Sequence, residues 1–234
     1  MPKNYQEFKV TLPAMESDIW SIRKFTVPAV NDTVGERYGD RRPPPGDYTG
    51  LWRKVDKWYH PPESYAGFLS LLPGSRKDPV MSDTPAEVKD HVPFIKKAQG
   101  VVLVAGLGLG MVTKALLAKP SVDHVVVVEL DKNLINMVGP HYACDRLTIV
   151  EGSIFWGPDA LQRPTRIPVN TQYDWAWFDI WDTIDMDNLE DFDALRDTWG
   201  SWCEHMEFWV EKECIAQARK MKAIWADPNY NGTH

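Results

Sequence analysis

The chain has 234 residues, 44% of them hydrophobic and 25% charged, with 26 Lys and Arg against 33 Asp and Glu for a net charge of -7. That composition supplies ample core for one α/β body with extensions and confines disorder to the edges, while the negative balance repels a nucleic-acid backbone on average. Three cysteines, Cys144, Cys203 and Cys214, form no close pair, which excludes a disulfide framework or zinc knuckle and fits a reducing cytoplasm.

Residues 1–7 lack the apolar centre of a signal peptide, and no apolar run reaches the roughly 18 residues that a membrane helix needs. Residues 1–82 are rich in Pro, Gly, Trp and Tyr, with short β-like runs such as 22–27, and read as an irregular arm or cap. Within it Arg37, Arg41 and Arg42 are interleaved with Asp40 and Asp47, which makes a solvated loop. The rings of 48–65 predict a folded loop that packs aromatics.

Residues 83–98 predict a helix, with Asp83 or Thr84 as N-cap, Pro85 in the first turn and Glu87 three residues after Thr84. Near its end, Asp90 and His91 either reach a substrate or reflect a histidine held by the helix dipole. Residues 101–105 form a continuous apolar run, as in a strand covered on both faces. A helix over 111–119, a strand over 125–128, a helix over 132–138 and strands over 147–150 and 173–178 follow, which is the alternation of a parallel α/β core ending near 182. Residues 183–234 read as a helical extension, with Trp199, Trp202, Met206 and Trp209 at helical spacings that suit core or an aromatic pocket. Asn231-Gly232-Thr233 matches a glycosylation acceptor only if the chain is secreted.

Four signals fall at the carboxyl ends of the predicted strands, the edge where ligands bind in open α/β sheets. The first is G-L-G-L-G at Gly106, Gly108 and Gly110, where missing Cβ atoms let a ligand approach the backbone and the next helix offers free N–H groups. The second is Glu129, nineteen residues after Gly110, placed to accept both ribose hydroxyls. Met111 stands where a dinucleotide fingerprint has its third glycine, which disfavours NAD. The third is Glu151-Gly152-Ser153-Ile154-Phe155, and the fourth Asp179-Ile180-Trp181-Asp182. A carboxylate in that tetrad attracts a sulfonium or takes a proton from an amine, and Trp181 offers a cation-π face, although Asp182 equally suits a helix cap. The nucleotide-hydrolase, zinc-protease, serine-hydrolase and amino-directed DNA methyltransferase motifs are absent, and no metal site is expected.

On these residues the chain resembles the class I S-adenosylmethionine-dependent methyltransferase superfamily, and most the spermidine synthase-like branch, over about 100 central residues. The resemblance implies a Rossmann-like α/β core over 83–182. Gly106, Gly108 and Gly110 would then lie against the methionine part of the cofactor, Glu129 on the ribose and Leu130 on the adenine. Ser153, followed by Ile154, stands where the family has an Asp for the adenine amino group. Leu109 stands where it has an Asp after the third position of the glycine loop. Asp179 and Asp182 match the acids of the aminopropyl transferase D-S-S-D signature, here D-I-W-D, and are the catalytic candidates. The superfamily's fifth strand has no visible counterpart, so either the sheet is shortened or the N-terminal arm supplies strands. The expected function is methyl transfer from S-adenosylmethionine to a small molecule or protein group. The alternatives are aminopropyl transfer from the decarboxylated cofactor and noncatalytic binding of the cofactor. Nucleic-acid and membrane partners are not expected, and homo-oligomerisation stays open.

Overall fold

The computed structural model describes residues 8–27, 43–54, 79–161 and 172–226. The arginines at 37–42, the rings at 55–65 and the sequence at 231–233 lie outside them. The described part of the arm is not irregular: β1 (Met15–Glu16), β2 (Trp20–Val27), β3 (Gly46–Arg53) and β4 (Met81–Ser82) form an antiparallel sheet in that order. β2 and β3 pair along their whole length, from Trp20 opposite Arg53 to Val27 opposite Gly46. Buried Asp83 ties this sheet to the next element, its Oδ1 accepting the Thr49 N–H at 2.7 Å and its Oδ2 the Val10 N–H at 3.1 Å.

Helix α1 (Pro85–Lys97) starts after Thr84 with Pro85 in its first turn. Glu87 does not close a capping box on Thr84; it reaches back to the N–H of Ser82 at 2.8 Å and to the Ser82 hydroxyl at 2.9 Å. The chain then alternates through β5 (Gly100–Ala105), α2 (Met111–Leu117), β6 (Val122–Glu129), α3 (Lys132–Val138) and β7 (Leu147–Glu151). It continues through α4 (Gly157–Leu161), β8 (Tyr173–Phe178), α5 (Asn188–Trp199), β9 (Cys203–Phe208) and α6 (Glu211–Trp225). The second sheet is wholly parallel, in the order β7-β6-β5-β8-β9, and the fold is a Rossmann-like α/β core.

The expectation of a shortened sheet and a purely helical C-terminal extension is therefore corrected: β9 pairs with β8 and supplies the fifth strand. The spacing of Trp199, Trp202, Met206 and Trp209 mimics one helix, but α5 ends at Trp199 and Met206 lies in β9. β9 is one of the sheet's two outer strands, with β7 the other, so Glu204 and His205 are exposed and its apolar alternation is blurred. β5 shows why the sheet needs two covers. Val102 and Val104 enter a core shared with Phe94, Trp20 and Leu51, whereas Leu103 and Ala105 enter one built on Phe178, Phe192 and Trp199. Both faces are buried, as expected for a parallel sheet.

Candidate functional site

The strand order reverses between β5 and β8, and a parallel sheet opens a crevice at that point because the loops after the two strands turn to opposite faces. Gly106, with φ of 96°, sits so close to the Asp179 carbonyl that a Cβ there would overlap it. A cleft of about 780 Å³ opens beside this contact. All four strand-end loops line it, through Gly106 and Gly108, Glu129 and Leu130, Ser153 and Ile154, and Asp179 with Asp182.

Glu129 ends β6 and is buried, yet both oxygens have defined donors: Oε2 accepts the Leu107 N–H at 2.8 Å and Oε1 the Asp131 N–H at 2.7 Å. Burial raises its carboxyl above the ordinary range, and these backbone bonds oppose the shift. Each carboxylate oxygen can accept a second hydrogen bond, so a vicinal diol in the cleft can be held by both at once. Next to it Leu130 is 66% exposed and Phe155 43% exposed, and both line the cleft. These apolar surfaces suit the flat face of a heteroaromatic ring. The buried Trp177 lines the cleft, and its indole favours the charged form of the Asp179 carboxyl. Diol acceptor, apolar platform and glycine turn together fit an adenosine-containing cofactor.

The N-terminal sheet forms the opposite wall. Trp20 Nε1 donates to Asp131 Oδ2 at 2.6 Å, Arg53 pairs with Asp182 at 3.6 Å, and the Arg53 guanidinium lies 4.8 Å from the centre of the Trp20 ring. Sequence reasoning missed Trp20 and Arg53. Their one local signal is the aromatic richness of the arm, since the pairing is long-range.

Of the two readings of His91, a residue that reaches a substrate or one held by the helix dipole, the structure places it on the cleft lining. It lies in the middle of α1, not at its end, and is buried with Nε2 3.8 Å from Asp179 Oδ2 and its ring edge-on to Trp177 at 5.6 Å. The reading as a helix-terminal histidine is corrected accordingly. Burial, reinforced by the Glu87 carboxylate, pushes the Asp179 carboxyl up from its usual 3.8 to about 8; the Trp177 indole opposes this, and Asp90 and Asp182 add to it. An acid with a raised folded pKa binds its proton more tightly when folded, so its contribution to stability falls as pH rises through the interval from about 4 to about 8. Asp179→Asn, which never ionises, is expected to gain stability relative to the parent between those two pH values. Urea denaturation at each end checks this, and an unchanged difference would mean that the Asp179 carboxylate is well solvated.

The geometry now stands beside known proteins. No family model and no curated protein matches the chain. Its neighbours among solved structures are methyltransferases and spermidine synthases. A dimethyladenosine transferase from Plasmodium falciparum is 21% identical over 42% of this chain and 32% of that one, with a TM-score of 0.30. The chain thus spans about a third of that protein's length. Spermidine synthase from Thermotoga maritima is 16% identical over 80% of this chain and 52% of that one, at 0.37. A putative RNA methyltransferase from Pyrococcus horikoshii is 17% identical over 70% and 78%, at 0.36. The overlaps are distant, and the fold assignment stands on the chain's own strand order.

Gly110 does not line the cleft; a Cβ there would strike the Tyr142 ring, whose hydroxyl donates to the Leu109 carbonyl at 2.8 Å. Ser153 lines the cleft, but its hydroxyl accepts the Phe155 N–H at 3.3 Å and so caps a short 3-10 turn. Asp182 is not a helix cap, because α5 begins after Asp187. Trp181 lines the cleft edge-on to Phe192 at 4.6 Å, with Nε1 bonded to Asp191 at 2.8 Å. Of the C-terminal tryptophans, Trp199 is core and Trp209 lines the cleft. Among the described residues no His, Cys, Asp and Glu group is arranged to hold a metal ion, and no helix is long and apolar enough to cross a membrane.

Proposed function

We propose that the cleft binds S-adenosylmethionine and that the protein is a transferase carrying its methyl group to a small molecule or an exposed protein group. The observation that supports this most is Glu129: a buried carboxylate at the end of β6, braced by two backbone N–H groups, beside the glycine turn at the switch point of the sheet. Gly106 and Glu129 would hold the methionine and ribose portions, Leu130 and Ile154 the adenine, with Ser153 at its rim. When bound, the sulfonium supplies the electrophilic carbon. The residues of the chain then orient an acceptor, exclude water and hold a proton at Asp179. Positioning of this kind accounts for much of the barrier in a reaction whose electrophile is already activated.

A second reading, aminopropyl transfer from decarboxylated S-adenosylmethionine, is favoured by the acids of the cleft lining, Glu87, Asp179 and Asp182, of which Glu87 and Asp182 are near enough to Asp179 to raise its carboxyl. Carboxylates grouped there attract a cationic amine acceptor. Calorimetric titration with S-adenosylmethionine, its decarboxylated form, S-adenosylhomocysteine and NAD tests both. Binding of the first and third is expected. Preference for the decarboxylated compound would move the assignment to amine chemistry, binding with no transfer to any acceptor would make the protein a carrier, and binding of NAD alone would overturn the reading.

A further inference from the structure

Acids outnumber cations on the cleft lining, yet most of them are already engaged. Glu87 accepts from the N–H and hydroxyl of Ser82, and Asp131 accepts from Trp20 and Asn133. Asp179, its carboxyl pushed up to about 8 chiefly by burial, carries a proton at neutral pH, and Asp182 is set against Arg53. The negative charge that an acceptor meets at this end of the cleft is therefore smaller than the number of acids implies.

Arg53 is the last residue of β3 and stands opposite Trp20 in the register with β2, with its guanidinium 4.8 Å from the centre of the Trp20 ring. Trp20 is itself buried and anchored, since its Nε1 donates to Asp131 Oδ2 at 2.6 Å. A guanidinium backed by a fixed ring is oriented in advance and keeps a planar fork of N–H donors. Its ion partner among the described residues is Asp182 at 3.6 Å, longer than a hydrogen bond. Both side chains are about half exposed, so the pair is weak and opens readily to a better acceptor of hydrogen bonds.

The place of this fork follows from Asp182, whose charge reaches Asp179 and helps to raise its carboxyl. Arg53 thus stands at the end of the cleft assigned to the acceptor. The other lysine or arginine of the lining among the described residues, Lys132, is set 3.5 Å from Glu151 at the far side, beside the exposed Leu130. Around Arg53 the lining is apolar, with Trp20, Ile180 and Trp181. A carboxylate takes two parallel N–H donors from a guanidinium, a closer match than the single long approach of Asp182.

Resting on the methyl-transfer reading of the cleft, we propose that Arg53 is a specificity residue that receives a carboxylate of the acceptor, which is then an apolar or aromatic small molecule bearing an acid group. A cationic amine acceptor would instead be repelled by the same guanidinium. The N-terminal sheet, through Trp20 and Arg53, thereby takes part in choosing the acceptor.

The probes are benzoate, its neutral counterpart benzamide and its cationic counterpart benzamidine, which share a ring and differ in charge. Each is titrated by ligand-observed NMR into the intact protein, Arg53→Ala and Arg53→Glu, after saturation with S-adenosylhomocysteine whose own binding is measured first by calorimetry. In the parent, benzoate is expected to bind about threefold or more tighter than benzamide, with benzamidine weakest. Arg53→Ala is expected to bring the benzoate-to-benzamide ratio to about one, and Arg53→Glu to put benzamidine first. Benzamidine binding best in the parent, benzoate failing to bind, or a ratio unmoved in Arg53→Ala would overturn the assignment of Arg53 while leaving the nucleoside site intact. Failure of S-adenosylhomocysteine to bind would overturn the nucleoside reading, and the Arg53 assignment with it. Circular dichroism of each variant separates a lost fold from a changed preference.

Discussion

Glu129→Ala is expected to weaken S-adenosylmethionine binding on the order of a hundredfold or more. Hydrogen bonds to a charged acceptor contribute about 1.5 to 3 kcal/mol each, and two ribose hydroxyls would lose theirs together. The same change strips acceptors from the Leu107 and Asp131 N–H groups, so part of the loss would come from the turn itself. Glu129→Gln separates the two contributions, since one amide oxygen remains to brace one N–H while the charge is gone; an intermediate loss of about tenfold is expected. Calorimetry on both variants is the check. Affinities within threefold of the parent in both would remove Glu129 from the site.

Gly106→Ala is expected to cost about 2 to 5 kcal/mol of folding stability, from a left-handed backbone forced on an L-residue and from overlap with a main-chain oxygen that cannot move aside. The atom in the way is the Asp179 carbonyl at the end of β8, next to the hydrogen bond by which the Asp179 N–H donates to Ala105 at 3.0 Å. Gly108→Ala should cost less, because the obstacle there is the far end of the flexible Met81 side chain. Urea denaturation ranks the two, and equal midpoints would mean that β5 and β8 can part without penalty. The ordering matters for function. Gly106 is demanded by the protein's own main-chain packing before any ligand is considered, whereas the notch at Gly108 is filled by a side chain.

Much of the parallel core was legible because its strands are β-branched or aromatic runs ending at glycine or an acid. β8 occupies the expected residues 173–178, β5 starts one residue before the expected run, and β6 extends its expected run at both ends. The convergence of four strand ends on one cleft was legible too, since it follows from alternation alone. What was hidden is long-range. Nothing local says that residues 20–27 pair with 46–53, or that Trp20 donates to Asp131 across 111 residues of chain. Gly110 was misread because a glycine in a loop signals space without saying for what, and here the space is filled by Tyr142. His91 was placed near the end of the helix, whereas it lies mid-helix in α1 with Pro93 accommodated inside, and its approach to Asp179 is a long-range contact that no local pattern marks.

The fifth strand bears on where the chain can be divided. A fragment ending near 182 retains the cleft loops after β5, β6 and β7 and the start of the one after β8, yet it loses Trp209 from the cleft and with it β9, whose Phe208 stacks on Phe178 at 4.8 Å. β8 would then become the outer strand of the sheet, with a full row of main-chain donors and acceptors exposed beside buried-type residues such as Trp177 and Phe178. An edge that long and apolar is a template for intermolecular pairing. Such a truncated piece is expected to self-associate through β8, so β9 covers an edge that the rest of the parallel sheet would otherwise expose.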